Sequence, residues 1–229
     1  MPRPLSVGVA IPVFNGVRYL GAAIESVLSQ THPVAEVVVV DDGSADQSAA
    51  VASAIGPPVR VFSTEHLGIG AARSHALDHL RTEVLVTLDA DDLLTPRSVE
   101  ARIDLLHTRS DVDLVFGHGR TFAGCVDAEP VPLDRSRPHH TVGSLLMRRE
   151  AYQRVGRFAT GLRVADGLDW LLRAREAGIV DATVEAQVVW RRVHGANNSL
   201  TQRTSLGEFA VVLKASLDRR RRRTSPKLT

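Results

Sequence analysis

Val37-Val38-Val39-Val40 narrows the choice of fold more than any other stretch: four consecutive β-branched residues with no polar residue between them. Such a run reads as a strand with both faces covered, the pattern of a sheet sandwiched between helices. Val7 to Ile11, Val59 to Phe62 and Val84 to Leu88 read as further strands. Between them, Tyr19, Leu20, Ala23, Ile24, Val27 and Leu28 recur at helical spacing, and helices are predicted from about Gln47 to Ile55 and from Ala71 to Leu80. Strand–helix alternation through the first hundred residues predicts an α/β fold with a largely parallel sheet and right-handed crossovers.

Two of these strands end in carboxylates, one in Asp41-Asp42 and the other in Asp89-Ala90-Asp91-Asp92. Each anion raises the cost of ionising its neighbour, so a cluster of them asks for a cation. At the carboxyl edge of an open α/β sheet, where ligands bind, hard oxygen ligands suit Mg²⁺ or Mn²⁺ shared with substrate phosphates. The competing reading of Asp89 to Asp92 is a solvated turn ahead of a helix that Pro96 starts.

The second half is read more coarsely. A helix from Pro96 to about Thr108 precedes a strand from Val112 to Phe116, and Gly117 to His140 reads as a long loop or distorted hairpin, where His139-His140 are read as solvated, with contact to an acceptor as the alternative. A strand is expected over Val142 to Met147, a short helix over Arg149 to Val155, and an acidic turn at Val164 to Gly167. A helix over Asp169 to Ala177, a β-rich stretch over Val184 to Val193 and an amphipathic helix from Ser205 to Leu217 complete the chain.

Composition excludes several classes. The single cysteine, Cys125, forbids an intrachain disulfide and a thiolate metal cluster, which agrees with a reducing cytoplasm. No secretory leader or membrane span is expected. Net charge is +2, but residues 218–229 hold six of the 28 basic residues and one of the 26 acidic ones. The remainder, with 22 basic and 25 acidic residues, carries −3, so no nucleic-acid partner is expected. The run Arg219–Arg223 has two readings: a solvated tail, or peripheral contact with an anionic membrane on its inner, cytoplasmic face.

Taken together, Val9-Ala10-Ile11-Pro12-Val13-Phe14-Asn15, Ile24 to Thr31, Val38-Val39-Val40-Asp41-Asp42-Gly43-Ser44, Gly70-Ala71-Ala72-Arg73 and Asp89-Ala90-Asp91-Asp92 resemble the opening of family 2 glycosyltransferases. The resemblance covers roughly residues 7 to 200 and thins after Pro96. It implies a GT-A-type nucleotide-diphospho-sugar transferase fold, a mixed, mostly parallel sheet flanked by helices. Residues 1–203 would form one domain, with a nucleotide-sugar half (1–96) and an acceptor and catalytic half (97–203), followed by an amphipathic helix and basic tail (204–229). It implies inverting, metal-dependent transfer from a UDP- or dTDP-sugar to an acceptor hydroxyl on a saccharide, lipid-linked saccharide, metabolite or peptide. By position, Pro12, Phe14 and Asn15 would lie at the nucleotide, Asp42 at the base imide, and Arg73 at the diphosphate or base. Asp89 and Ala90 would lie near the ribose, with Asp91, Asp89 and His194 on Mn²⁺ or Mg²⁺ and Asp92 beside them.

The chemistry of the residues is compatible with those roles. Building charge on a departing diphosphate calls for a cation, and the attacking alcohol must lose its proton to a carboxylate on the opposite face. Where the family carries a Glu-Asp pair, this chain has Ala165-Asp166-Gly167-Leu168-Asp169-Trp170, so Gly167 falls at the second acid. Asp166 is the candidate base and Asp169 the alternative; an N-cap role for Asp166 and a first-turn role for Asp169 stay open. Capping stays open for Asp42, as does a surface ion pair for Arg73. A dinucleotide-binding oxidoreductase is disfavoured, because Pro12-Val13-Phe14-Asn15 stands where the glycine fingerprint belongs. A nucleotidyltransferase of similar fold and an inactive nucleotide-sugar-binding domain are the competing functions.

Overall fold

The computed structural model describes residues 3–123, 130–195 and 207–224. The expected alternation opens the chain: β1 (Val7–Val13), α1 (Val17–Leu28), β2 (Glu36–Asp41), α2 (Ser48–Ile55), β3 (Val59–Ser63), α3 (Ile69–His79) and β4 (Val84–Thr87). There follow β5 (Leu93–Leu94), α4 (Ser98–Thr108), β6 (Leu114–Ala123), β7 (Val131–Pro132), β8 (Arg137–His139), β9 (Leu146–Arg148), α5 (Arg149–Val155), α6 (Asp166–Glu176), β10 (Asp181–Arg192) and α7 (Gly207–Thr224).

One sheet runs through both halves in the order β3-β2-β1-β4-β9-β6-β10-β5, with β7 and β8 paired to β6. The long ladders β1–β2, β2–β3, β1–β4 and β6–β10 are parallel, and the short strands β5, β7, β8 and β9 pair antiparallel. Val9, Ile11, Val37 and Val39 face a layer containing Ile24 of α1 and Ile103 of α4. Ala10, Val38 and Val40 face Leu77 of α3 and Trp170 of α6. Both faces are dry, which is why the valine run does not alternate; each buried Val or Ile contributes roughly 1.5–3 kcal/mol.

Proline is tolerated inside β1 because of where the neighbouring strand stops. Pairing with β4 ends at Ala10 and Thr87, and the Ala10 carbonyl accepts the Leu88 N–H. Pro12 faces the same side one pleat further on, past the end of β4, where no ladder bond needs its missing N–H.

The structure departs from the sequence reading mainly in the second half. The strand expected over Val112 to Phe116 runs on to Ala123, and β7 and β8 pair antiparallel with it, so of the loop and hairpin readings the described residues of this stretch, 117–123 and 130–140, favour the hairpin. Val142–Ser144 is a 3₁₀ turn ahead of β9, α4 starts at Ser98 after Pro96, and α6 starts at Asp166 rather than Asp169. The last helix continues through the arginine run and docks on α6, where Glu176 accepts from Ser216 Oγ (2.5 Å) and Arg219 Nε (2.6 Å). Cys125, Lys227 and the boundary at 203/204 lie outside the described residues. Among the described residues no helix is long and apolar enough to cross a membrane.

Candidate active site

The carboxyl ends of β1, β2 and β4 bring the first-half motifs to one edge. Asn15 has φ 50°, a left-handed conformation that asparagine tolerates better than most residues. Its Oδ1 accepts the Ala45 N–H (2.8 Å) and its own N–H donates to Ser44 Oγ (2.8 Å), so Asn15 ties the β1 loop to the β2 loop. Phe14 is half exposed and stacks on the His66 ring, with centroids 4.1 Å apart. Pro12 is buried below them.

Asp42 is buried and does not cap α2. Its Oδ1 accepts from Thr64 Oγ1 (2.8 Å) and the Leu67 N–H (2.7 Å), and its Oδ2 accepts the Gly68 N–H (2.8 Å) with His66 Nδ1 at 3.3 Å. A carboxylate offers about four lone-pair sites, and the stretch from Thr64 to Gly68 takes three of them, while His66 Nδ1 also lies 3.0 Å from the Asp42 main-chain carbonyl. In this arrangement Asp42 shapes the loop that carries His66, itself at φ 49°.

Arg73 is the centre of the site. It projects from α3, is buried, and donates one guanidinium nitrogen to Asp89 Oδ1 (2.9 Å) and the other to Asp166 Oδ2. Its charge is secure: burial pushes its pKa down, but Asp166 and Asp89 push it up further, and the net shift is upward. The Arg73 Nε is buried without a hydrogen-bond partner, an uncommon state that leaves one donor available. Gly70 makes this packing possible, because a Cβ there would run into the Ala159 carbonyl and sit 3.4 Å from the Asp166 Cβ. Arg73 is therefore an internal bridge and not a surface ion pair.

Asp89 and Asp91 bracket Ala90 in the turn after β4. Asp91 Oδ2 lies 3.0 Å from His194 Nε2 just beyond β10, so the histidine from the far end of the chain meets the acidic turn. Burial and then the charge of Asp89 raise the Asp91 pKa, partly countered by His194. Asp92 is raised well above the usual carboxylate range by burial, then by Asp91 and Asp89. Its Oδ1 accepts the Arg192 N–H (2.8 Å), which fastens the turn to β10. Of the two arginines there, Arg192 is the buried one, its guanidinium over the Tyr19 and Phe122 rings. Among the described residues no three His, Cys, Asp or Glu groups are disposed to hold a metal ion together. Asp89, Asp91 and His194 are ligand types that a divalent ion accepts, hard oxygens and one imidazole, with Asp89 paired to Arg73 and Asp91 to His194.

Asp166 opens α6 without a capping bond of its own, because its carboxylate turns to Arg73. Asp169, the alternative base, points elsewhere: it accepts from Arg173 Nε (2.8 Å) and lies 3.8 Å from Arg219 of α7. At Gly167 a Cβ would lie 2.6 Å from a Val142 methyl, so Val142 occupies the space a second acid would need. Trp170 is core, stacked on Phe158. Two supports escaped the sequence reading. Arg102, fully buried in α4, donates to the Ser144 carbonyl (2.6 Å) and braces the Val142–Ser144 turn. Glu208 of α7 accepts the Arg163 and Val164 N–H groups (2.9 and 3.0 Å) just ahead of Asp166. An apolar cleft of about 190 Å³ beside α6 is lined by none of the site carboxylates.

Comparison with known proteins gives the family and the fold. The family model for glycosyl transferase family 2 matches residues 8–166. An uncharacterized glycosyltransferase of Rickettsia typhi is 26% identical over 224 residues, covering 90% of this chain and 70% of that protein. One from Rickettsia conorii is 34% identical over 115 residues, covering 49% of this chain and 19% of the relative. The crystal structure of S. aureus TarS 1–349 in complex with UDP-GlcNAc superposes with a TM-score of 0.76 at 17% identity, covering 93% of this chain and 65% of that one. The chain thus spans only part of these relatives, and the likeness to TarS shows the GT-A-type fold. With motifs, edge geometry and the match over residues 8–166 in agreement, the chain belongs to glycosyltransferase family 2.

Proposed function

We propose that this protein transfers a sugar from a uridine or thymidine diphospho-sugar to an acceptor hydroxyl with inversion, using Asp166 as the base. One observation carries the reading: Arg73 joins Asp89, at the end of β4, to Asp166, at the start of α6, so the donor motif and the candidate base share one buried cation. The UDP-GlcNAc bound by TarS supports the donor class.

The nucleotide would lie over β1 and β2, against the exposed Phe14 face and the Asn15 and Asp42 loops. Arg73, with its unpartnered Nε and fixed fork, would meet the diphosphate. A divalent cation, Mn²⁺ or Mg²⁺, would be held by Asp91, Asp89 and His194 and would neutralise charge on the departing diphosphate. Asp166 accepts the acceptor hydroxyl's proton once Arg73 turns toward phosphate, since a carboxylate paired to a guanidinium is a poor base. The acceptor would be a saccharide, lipid-linked saccharide, metabolite or peptide, and the basic outer face of α7 would give the enzyme a peripheral hold on anionic lipid, consistent with a cytoplasmic location.

The direct test is Asp166→Asn. The amide keeps an acceptor oxygen for Arg73 but takes no proton at working pH. Turnover of UDP-sugar should fall by roughly 10²–10⁴-fold, the usual contribution of a general base, with donor affinity within a few-fold of the parent by calorimetry. Substantial turnover in the variant would remove Asp166 from the role. Full transfer by metal-free, chelator-treated protein would remove the cation.

A further inference from the structure

Arg102 of α4 is fully buried, and its hydrogen bonds go to neutral oxygens alone. We propose that Arg102 is a positioning residue for the transfer: by fixing the Val142–Ser144 turn it sets the spacing of Asp89 and Asp166, the two carboxylates that Arg73 bridges. The inference rests on the transferase reading above, which puts the donor at one of these carboxylates and makes the other the base.

The charge of Arg102 is costly where it stands. Its Nε donates to the Ser98 carbonyl (2.9 Å), one terminal nitrogen to Ser98 Oγ (2.8 Å) and the other to the Ser144 carbonyl (2.6 Å). Among the described residues no carboxylate pairs with it, and burial brings its pKa down to about 9. A buried charge of this kind lowers stability, and an apolar side chain of similar volume in its place is often neutral or stabilising. Its neighbours on α4, Val99, Ile103 and Leu106, are apolar core and give no local reason for a cation. What the guanidinium supplies is reach. α4 packs on the sheet face of Val9 and Ile11, whereas Val142 and Leu145 pack on the opposite face, and Arg102 joins the first layer to the turn of the second.

The turn it holds stands between the two carboxylates. On one side the Gly143 carbonyl accepts the Asp89 N–H (3.1 Å), and a Cβ on Gly143 would run into Asp89 Oδ2, so that carboxylate rests against bare backbone. The Leu145 carbonyl accepts the Thr87 N–H (2.9 Å) and the Leu145 N–H donates to Thr87 Oγ1 (3.2 Å), which fastens the turn to the end of β4. On the other side Val142 packs on Gly167, the residue directly after Asp166. A shift of the turn therefore moves Asp89 and the start of α6 relative to each other. The Arg73 fork, with Asp89 on one nitrogen and Asp166 on the other, has a fixed span and cannot absorb such a shift. Misplacing a reacting group by about 1 Å costs about 10²-fold in rate.

The test compares full-length Arg102→Met, which removes the donors and keeps an unbranched chain, with Arg102→Lys, which keeps a charged donor. Three quantities are read: UDP release from UDP-GlcNAc with Mn²⁺, UDP affinity by calorimetry, and residue-resolved amide exchange. Arg102→Met should keep a Tm close to or above the parent's and lose about tenfold or more in kcat, with UDP affinity within about threefold. Its Asp89 and Leu145 amides should exchange about tenfold faster while those of α3 keep their rates. Arg102→Lys should recover most of both losses. Unchanged kcat or unchanged exchange at Asp89 and Leu145 in Arg102→Met would overturn the inference. Failure of that variant to fold, or equal loss in both variants in step with Tm, would do the same, since either shows a role in packing alone. An active parent with an unaltered methionine variant refutes the positioning role alone; a parent that neither binds UDP nor releases it refutes the transferase reading as well.

Discussion

At the scale of single residues, the acidic turn after β4 sets a pH dependence whose sign follows from its burial. Asp91 and Asp92 are raised above their ordinary values, Asp92 the more strongly, by burial and by neighbouring carboxylates. An acid raised in the folded state binds more protons folded than unfolded between its two pKa values. Stability therefore falls as pH climbs through that window, beginning near 3.8. A divalent cation held by this turn would remove the penalty where the acids are ionised. Mn²⁺ should raise Tm more at about pH 7 than at about pH 4.5, by up to about 2.7 kcal/mol of stabilisation at a hundredfold excess over Kd; equal Tm with and without Mn²⁺ at both values would count against a cation site. Gly167 allows a second residue-level test. Placing the family's acid there with Gly167→Asp pushes a side chain into Val142, and overpacking of this kind costs about 1–3 kcal/mol. Thermal melts should show that loss with no gain in turnover, and a faster enzyme would show that the acid at 167, not Asp166, is the better base. The identities at these positions were legible in the chain, but their partners were not. Asp169 and Asp166 are three residues apart on one helix, and only packing gives one to Arg73 and the other to Arg173 and Arg219.

At the scale of elements, α7 reaches back to the turn ahead of Asp166. Glu208 near its start holds the Arg163 and Val164 N–H groups, and Glu176 of α6 takes Ser216 and Arg219 further along. Glu208→Ala should cost about 1 kcal/mol per hydrogen bond lost and lower kcat with little change in donor KM, because the turn it releases leads into Asp166. Glu208→Gln, which keeps an acceptor oxygen, should restore most of the rate; equal loss in both variants would point to a purely structural effect. β6 shows the opposite limit of local information. Gly117 and Gly119 weaken its strand signal, yet β8 and β10 pair along it through the glycines and β7 pairs with it at Phe122 and Ala123.

For the molecule as a whole, charge and shape are distributed unevenly. The inner face of α7 is spent on α6, while Val211, Leu213 and Leu217 are exposed along with Lys214, Arg220, Arg221 and Arg222. At an anionic bilayer surface a helix of this composition would gain about 1 kcal/mol per basic residue near it. Co-sedimentation with phosphatidylserine vesicles should be strong at low salt and be lost when Arg220, Arg221 and Arg222 become Gln. Retention by the triple variant, or no binding by the parent, would dismiss the membrane contact. The sequence by itself determined the α/β layering, the parallel first half and the edge at which the acids collect, because buried strands, helical periods and strand-end carboxylates are local patterns that burial enforces. Tertiary structure alone decided that Arg73 bridges Asp89 and Asp166, that Val142 stands where a second acid would go, and that the arginine run is helical with one face packed. Each of those depends on which distant surfaces meet, and close packing and ion pairing between segments scores of residues apart leave no periodicity in the chain to read.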